Sequence, residues 1–150
     1  MSDLNTAKRC AKKMWAGDSA SKALGMKIEI RSIGNATARM QVREDMVNGF
    51  DVCHGGLLFA LADTAFAFAC NAYNSKTVAA SGNIEFVRPA MLGDKLHAVA
   101  LEDHRGRRNG YYTVRIENQD GDLVAMFRGR SVSSDEPVLG VQNDTQNIEN

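Results

Sequence analysis

The chain is poor in cysteine, proline and surplus charge. Its three cysteines, Cys10, Cys53 and Cys70, form no CxxC pair, so a zinc knuckle or a dithiol redox motif is excluded. An odd count without disulfide density suits a reducing compartment. Lysine plus arginine equals aspartate plus glutamate at 18 each, whereas a protein devoted to bulk nucleic-acid binding carries a basic surplus. There are only two prolines, Pro89 and Pro137. The longest apolar run, Leu57 to Ala72, falls short of the ~20 residues a membrane helix needs and is broken by Asp63 and Asn71. The opening "MSDLNTAKRCAKK" lacks the apolar centre of a signal peptide. HExxH, GxSxG, Walker and GxGxxG patterns are all absent, and no His/Asp/Glu cluster stands at metal spacing. The expectation is a cytoplasmic protein with no metal, no cofactor, and neither nucleic acid nor membrane as partner.

What is present is an ordinary globular composition. At 150 residues, 44% apolar and 24% charged, the chain suits one domain with a real core. Leu4, Ala7, Ala11, Met14 and Trp15 recur at helical spacing, with Asp3 or Asn5 as cap and four basic residues on the wet face. A short turn, "DSASKAL", ends at Gly25. The period then becomes two: Met26, Ile28 and Ile30, then Ala36, Ala38, Met40 and Val42, give two strands joined at Gly34-Asn35. Val47 to Val52 reads as loop. Leu57 to Tyr73 has no polar face and is rich in Leu and Ala, so it predicts a helix buried on all sides. Four strand signals follow: "TVAASGNIEFV", "KLHAVALEDH", "YYTVRIENQ" and "LVAMFRGRSV". The sum is an α+β domain over residues 1–132, a six-stranded antiparallel sheet wrapped around one long helix. Residues 133–150 are polar and unpatterned, which predicts a flexible tail. One helix cannot cover both the sheet and its own far side, so a second copy is expected to close the core.

Two features of that helix carry chemistry. Asp63 sits inside its most apolar part, where an ionised carboxylate costs several kcal/mol unless paired. It is either a structural hydrogen-bonding residue or a nucleophile or base in a dry site. Thr64 beside it reads as a hydroxyl bonded back to the helix. Before the helix stands His54-Gly55-Gly56. Glycines at a helix start leave its first N–H groups bare, and the helix dipole makes them a site for a developing oxyanion. The bland alternative is a tight turn. His54 is a rival base or a cap, and Asn48 is a possible donor in the preceding loop. Arg105, Arg107 and Arg108 flank a hairpin turn, and Arg88, Arg128 and Arg130 stand near strand ends. Each could meet a phosphate or solvent alone. His97 and His104 read as structural.

Spacing adds a constraint. Gly55 and Asp63 are eight residues apart, about 12 Å along one helix at ~1.5 Å per residue. A donor and a base acting on one carbonyl need contacts of ~3 Å. If both serve one ester or thioester, they come from two chains.

The stretch "NGFDVCHGGLLFALADTAFAFACNAYN" followed by "FVRPAMLGDKL" resembles the hotdog-fold acyl-CoA thioesterases, and within them the phenylacetic-acid-degradation (PaaI) family. The likeness covers nearly the whole chain except the tail. It implies hydrolysis of phenylacetyl-CoA, hydroxyphenylacetyl-CoA or medium acyl-CoA to the free acid and CoA. On the matching positions, Asp63 is implied as the essential carboxylate that attacks the carbonyl or activates water. Gly55 is implied as the N–H donor, His54 and Asn48 as catalytic neighbours, and Thr64, Gly56 and Arg88 as substrate-binding residues. It implies no metal and a homodimer assembled into a homotetramer. The competing readings are a hotdog hydratase or dehydratase and a non-catalytic acyl-CoA sensor.

Overall fold

The computed structural model describes residues 3–140. Helix α1 (Leu4–Ala16) starts at Asp3, whose carboxylate accepts from the Thr6 N–H at 2.7 Å. Helix α2 (Ser19–Ala23) is capped in the same way by Asp18. Gly25, with φ +69°, turns the chain into the sheet. Strands β1 (Lys27–Ser32) and β2 (Asn35–Gln41) form a hairpin. Its turn residue Gly34 takes φ +79° where any Cβ would press on Glu102. A short 3₁₀ turn at Glu44–Met46 leads through a loop to helix α3 (Gly55–Cys70). Strands β3 (Thr77–Phe86), β4 (Lys95–Arg105), β5 (Asn109–Glu117) and β6 (Leu123–Ser133) complete one antiparallel sheet in the order β1-β2-β4-β5-β6-β3.

Alternation along the central strands decides which face meets α3. Leu96, Ala98 and Ala100 on β4, Tyr112, Val114 and Ile116 on β5, and Ala125 and Phe127 on β6 all point inward and are buried. Against them α3 turns Leu58, Leu61, Ala62, Ala65, Phe66 and Ala69. Small residues at Ala36, Ala38, Ala98 and Ala100 let the helix lie close to β2 and β4. Near β3 and β6 the reverse holds: Gly82 and Gly129 leave room for the rings of Phe59, Phe66 and Phe127. The aromatic group is edge-packed, with Phe59 and Phe127 centroids 5.3 Å apart at 84°. Burying each large side chain here contributes on the order of 1.5–3 kcal/mol.

Two surfaces of the core are left uncovered. The side of α3 carrying Gly56, Ala60, Asp63 and Ala67 is only partly buried, although the helix is apolar all round. Strand β3 is an edge strand paired only to β6, and nearly every residue on it is exposed. On it Val78 and Phe86, and just after it Val87, are each more than half exposed, and Phe50 more still.

Sequence and structure differ at the C-terminal limit of α3. The helix begins at Gly55, so both glycines belong to its first turn, as expected of a glycine-led helix start, but its C-terminal end falls short of the expected Tyr73. It stops at Cys70 because the Asn71 side chain takes over. Its amide donates to Ala67 O and Thr77 O, and its carbonyl accepts from Thr77 N, all at 2.9 Å. Asn74 adopts the left-handed conformation, three residues after the C-cap. Of the expected tail, residues 141–150 lie outside the described residues. Residues 134–140 fold back toward the end of α3, where Lys76 pairs with Glu136 and Asn74 accepts from Leu139 N. Among the described residues no helix is long and apolar enough to cross a membrane.

Candidate active site

The loop before α3 is shaped by Asn48. Its side-chain oxygen accepts from Phe50 N at 2.9 Å and Val52 N at 3.3 Å, a local turn that the backbone bond Asn48 N to Val52 O closes. The side-chain amide N–H groups of Asn48 have no acceptor among the described residues. Cys53 then anchors the chain by donating to Ala90 O, and His54 by donating to Met46 O. These bonds bring His54 to the N-cap of α3 in an extended conformation. Its imidazole is exposed and does not cap the helix. The first intrahelical donors are Leu57 and Leu58, both to His54 O, so the Gly55 and Gly56 N–H groups lack protein acceptors among the described residues. A helix N-terminus of this kind holds partial positive charge with donors ready for an anion.

Gly55, Asn48, Cys53 and Arg88 line one pocket of about 370 Å³, together with Phe86, Val87 and Pro89. The ring of Phe86 closes over Gly55 so tightly that a Cβ would come within 2.8 Å of it. Gly55 is therefore fixed by packing as well as by any chemistry at its N–H. Gly56 faces open space. Arg88 leans on Asp122 in the β5–β6 turn. Burial pushes the Cys53 thiol up to about 11, which keeps it neutral and removes it as a nucleophile.

Asp63 is not in that pocket. It lies two turns further along α3 on the partly covered side, half-buried, and accepts no hydrogen bond or ion pair among the described residues. Burial alone raises its carboxyl above the ordinary aspartate value. Helical side chains lean toward the N-terminus, which sets this carboxylate beside the turn of Phe59 and Ala60. Thr64 donates to Ala60 O at 2.8 Å and lies 3.4 Å from Ser21 Oγ, so its hydroxyl is engaged within its own chain.

Of the sequence candidates, the fold therefore gathers Asn48, Gly55 and Arg88, sets His54 and Gly56 at the rim, and holds Asp63 and Thr64 apart. The hairpin arginines go elsewhere: Arg105 stacks 3.7 Å over the Tyr73 ring near the far end of α3, and Arg108 pairs with Asp135. Arg130 donates to Asn109 at 2.7 Å. His97 pairs with Glu117 at 3.3 Å, a structural contact. Phe66 is core, packed on Tyr112 and Phe127. Sequence reasoning missed Phe86, Val87 and Cys53 as lining residues. The signal for the first two was the adjacent apolar pair "FV" before Arg-Pro, which breaks the strand alternation.

Comparison with known proteins gives this arrangement a family. Residues 50–125, which span both Gly55 and Asp63, match the model of the thioesterase superfamily. The chain is 46% identical to the acyl-coenzyme A thioesterase PaaI of Escherichia coli over 79% of its length and 84% of the relative. It is 33% identical to a putative esterase of Archaeoglobus fulgidus over 77% of its length and 75% of the relative. The solved structure of the E. coli PaaI protein superposes with a TM-score of 0.87 at 42% identity, covering 89% of this chain and 96% of that one. The family match over residues 50–125 and the same six-stranded antiparallel sheet around one long helix make this α+β chain a hotdog-fold member of the thioesterase superfamily.

Proposed function

We propose that the protein hydrolyses acyl-CoA thioesters, phenylacetyl-CoA, hydroxyphenylacetyl-CoA or medium acyl-CoA, to the free acid and CoA. The site is built from two copies of the chain. The observation that carries this reading is Asp63: a half-buried, unpartnered carboxylate on an apolar helix, outside the pocket that holds the helix N-terminus. A carboxylate kept that way costs stability, and chemistry is what it offers in return. The likeness to an enzyme named acyl-coenzyme A thioesterase supports the substrate class.

In this reading the thioester carbonyl enters the pocket of one protomer. Its oxygen points at the Gly55 N–H, where the helix start stabilises the negative charge of the tetrahedral intermediate. The free amide N–H of Asn48 donates to the substrate at the pocket wall, and His54 and Gly56 border the entrance. The partner's copy of the helix, running antiparallel along the uncovered side of α3, brings its Asp63 to the carbonyl carbon. That carboxylate either attacks to form an anhydride, expelling CoA as the thiolate, which takes a proton from solvent, after which water opens the anhydride to the free acid and regenerates Asp63. Or it takes a proton from a water whose oxygen adds to the carbonyl, and that proton passes to the departing CoA thiolate as the acid forms. Thr64 positions the helix that carries Asp63, and Arg88 attracts the phosphates of CoA at the rim. Closing the edge of β3 and the bare side of α3 against a second copy also buries the exposed Val78, Phe86 and Val87. Two such dimers make the homotetramer, and the whole acts in the cytoplasm.

The test is thiol release from phenylacetyl-CoA and a series of straight-chain acyl-CoAs, comparing the native chain with Asp63→Ala and Asp63→Asn. Loss of a nucleophile or base lowers kcat by at least ~10²-fold. Near-native turnover in Asp63→Ala overturns the reading.

A further inference from the structure

Away from the thioester pocket, α1 and β1 enclose a groove of about 410 Å³. Its floor is apolar: Trp15 on α1, Ile28 on β1 and Phe68 on α3, with Trp15 tilted against Phe68 at 6.4 Å between centroids. Its rim carries Lys8 and Lys12, one turn apart on α1, and Lys27 at the start of β1. No acidic residue lines it. None of the three lysines enters an ion pair among the described residues, although eight other such pairs occur there. A fourth cation, Lys22, stands 5.7 Å from the Trp15 ring centre. In a chain whose charges sum to zero, this is a local excess of positive charge around an apolar trough.

We propose that this groove binds an organic monocarboxylate with an aryl or medium-length alkyl body. The apolar body lies along Trp15, Ile28 and Phe68, and the carboxylate meets the lysine ammonium groups at the rim. Ammonium heads on flexible stems reach a single anionic end group while their methylenes extend the apolar wall. The volume falls in the range that small-molecule sites occupy. The groove shares no lining residue with the pocket of Asn48 and Gly55, so it stands whether or not the chain is a thioesterase.

Trp15 is the only tryptophan, which makes its emission a direct reporter of the groove. The full chain is titrated with octanoate, with 1-octanol as the neutral body and inorganic phosphate as the bare anion. The expected result is a saturable change in emission with octanoate and none of comparable midpoint with either control. In a Lys8→Gln/Lys12→Gln double variant the midpoint moves to roughly tenfold higher concentration, as loss of two rim charges implies. Asp63→Ala leaves the response intact. A non-saturating response, an equal response to octanol, or an unchanged midpoint in the lysine variant overturns the proposal. So does loss of the response in Asp63→Ala, since that result assigns the acid to the thioester pocket.

Discussion

The two ends of α3 are finished in opposite ways. At the C-terminal end the buried polar side chains among the described residues all have partners. Asn71 spans Ala67 and Thr77 with three bonds, and Tyr73 and Tyr112 both donate to Glu102 at 2.9 Å. Burial and the Glu102 carboxylate push the Tyr73 hydroxyl up to about 12, and Arg105 stacks on its ring. At the N-terminal end the cap residue does not cap, two glycines open the helix and their N–H groups stay bare. Between the ends sits one carboxylate with no partner. A protein that satisfies one helix end so fully has not left the other empty for want of polar side chains. The contrast separates what holds the fold from what is kept for a ligand.

The largest expected effect breaks the unsatisfied end without disturbing the helix. Proline fits the first helical position and deletes its N–H, and His54 already has the extended backbone that proline requires before it. Gly55→Pro should lower kcat by on the order of 10²–10³-fold, the usual worth of one oxyanion donor, while its Cβ displaces the Phe86 ring as any side chain there must. Gly55→Ala serves as its control. It adds the same Cβ under Phe86 but keeps the N–H, so its turnover should exceed that of the proline variant. Equal losses in the two would assign the effect to Phe86 rather than to the donor.

At the satisfied end the prediction inverts. Asn71→Ala removes the side-chain partners of the buried Thr77 N–H and C=O and should cost about 1–3 kcal/mol in denaturant unfolding, while kcat per folded molecule stays native. A large drop in kcat with unchanged stability would erase the distinction between the ends.

Smaller effects follow from Asp63. Catalysis needs the ionised form, and burial raises its pKa, so the acidic limb of kcat/KM should lie above the ordinary 3.8 of aspartate. A limb at or below that value would contradict a dry carboxylate. For stability, a raised folded pKa means the fold prefers the protonated acid. That preference is fully present below the unfolded pKa and is lost as pH rises through the folded one. Asp63→Asn should therefore raise the melting temperature at pH 7. The gain should vanish at about pH 3.8 and below. Calorimetry of the two proteins across that range measures it.

Much of this was legible in the residues. Alternation in β4, β5 and β6 was clean because one face of each strand is core and the other water, and all-round apolarity marked α3 as a buried helix. Its C-terminal end was read less well, three residues too long. Asn71 ends the helix through contacts with Thr77 that no local pattern encodes. In the site, Asp63 and Gly55 were found because each violates a local rule. Cys53 obeys its rule, and the broken alternation at Phe86-Val87 marks those residues without saying what they face, so only the fold shows that they line the pocket. The strand order, with β3 at the edge beside β6, has no signature in the sequence at all.

The central claim is that one active site takes Gly55 from one protomer and Asp63 from the other. It is tested most directly by mixing two inactive variants, Gly55→Pro and Asp63→Ala, after unfolding and refolding them together. If the site is shared, each mixed dimer has one doubly damaged and one fully native site. Random pairing then restores about a quarter of native thioesterase activity. If both residues serve within one chain, every site in the mixture carries a lesion, and activity no higher than that of the separate variants would contradict the account.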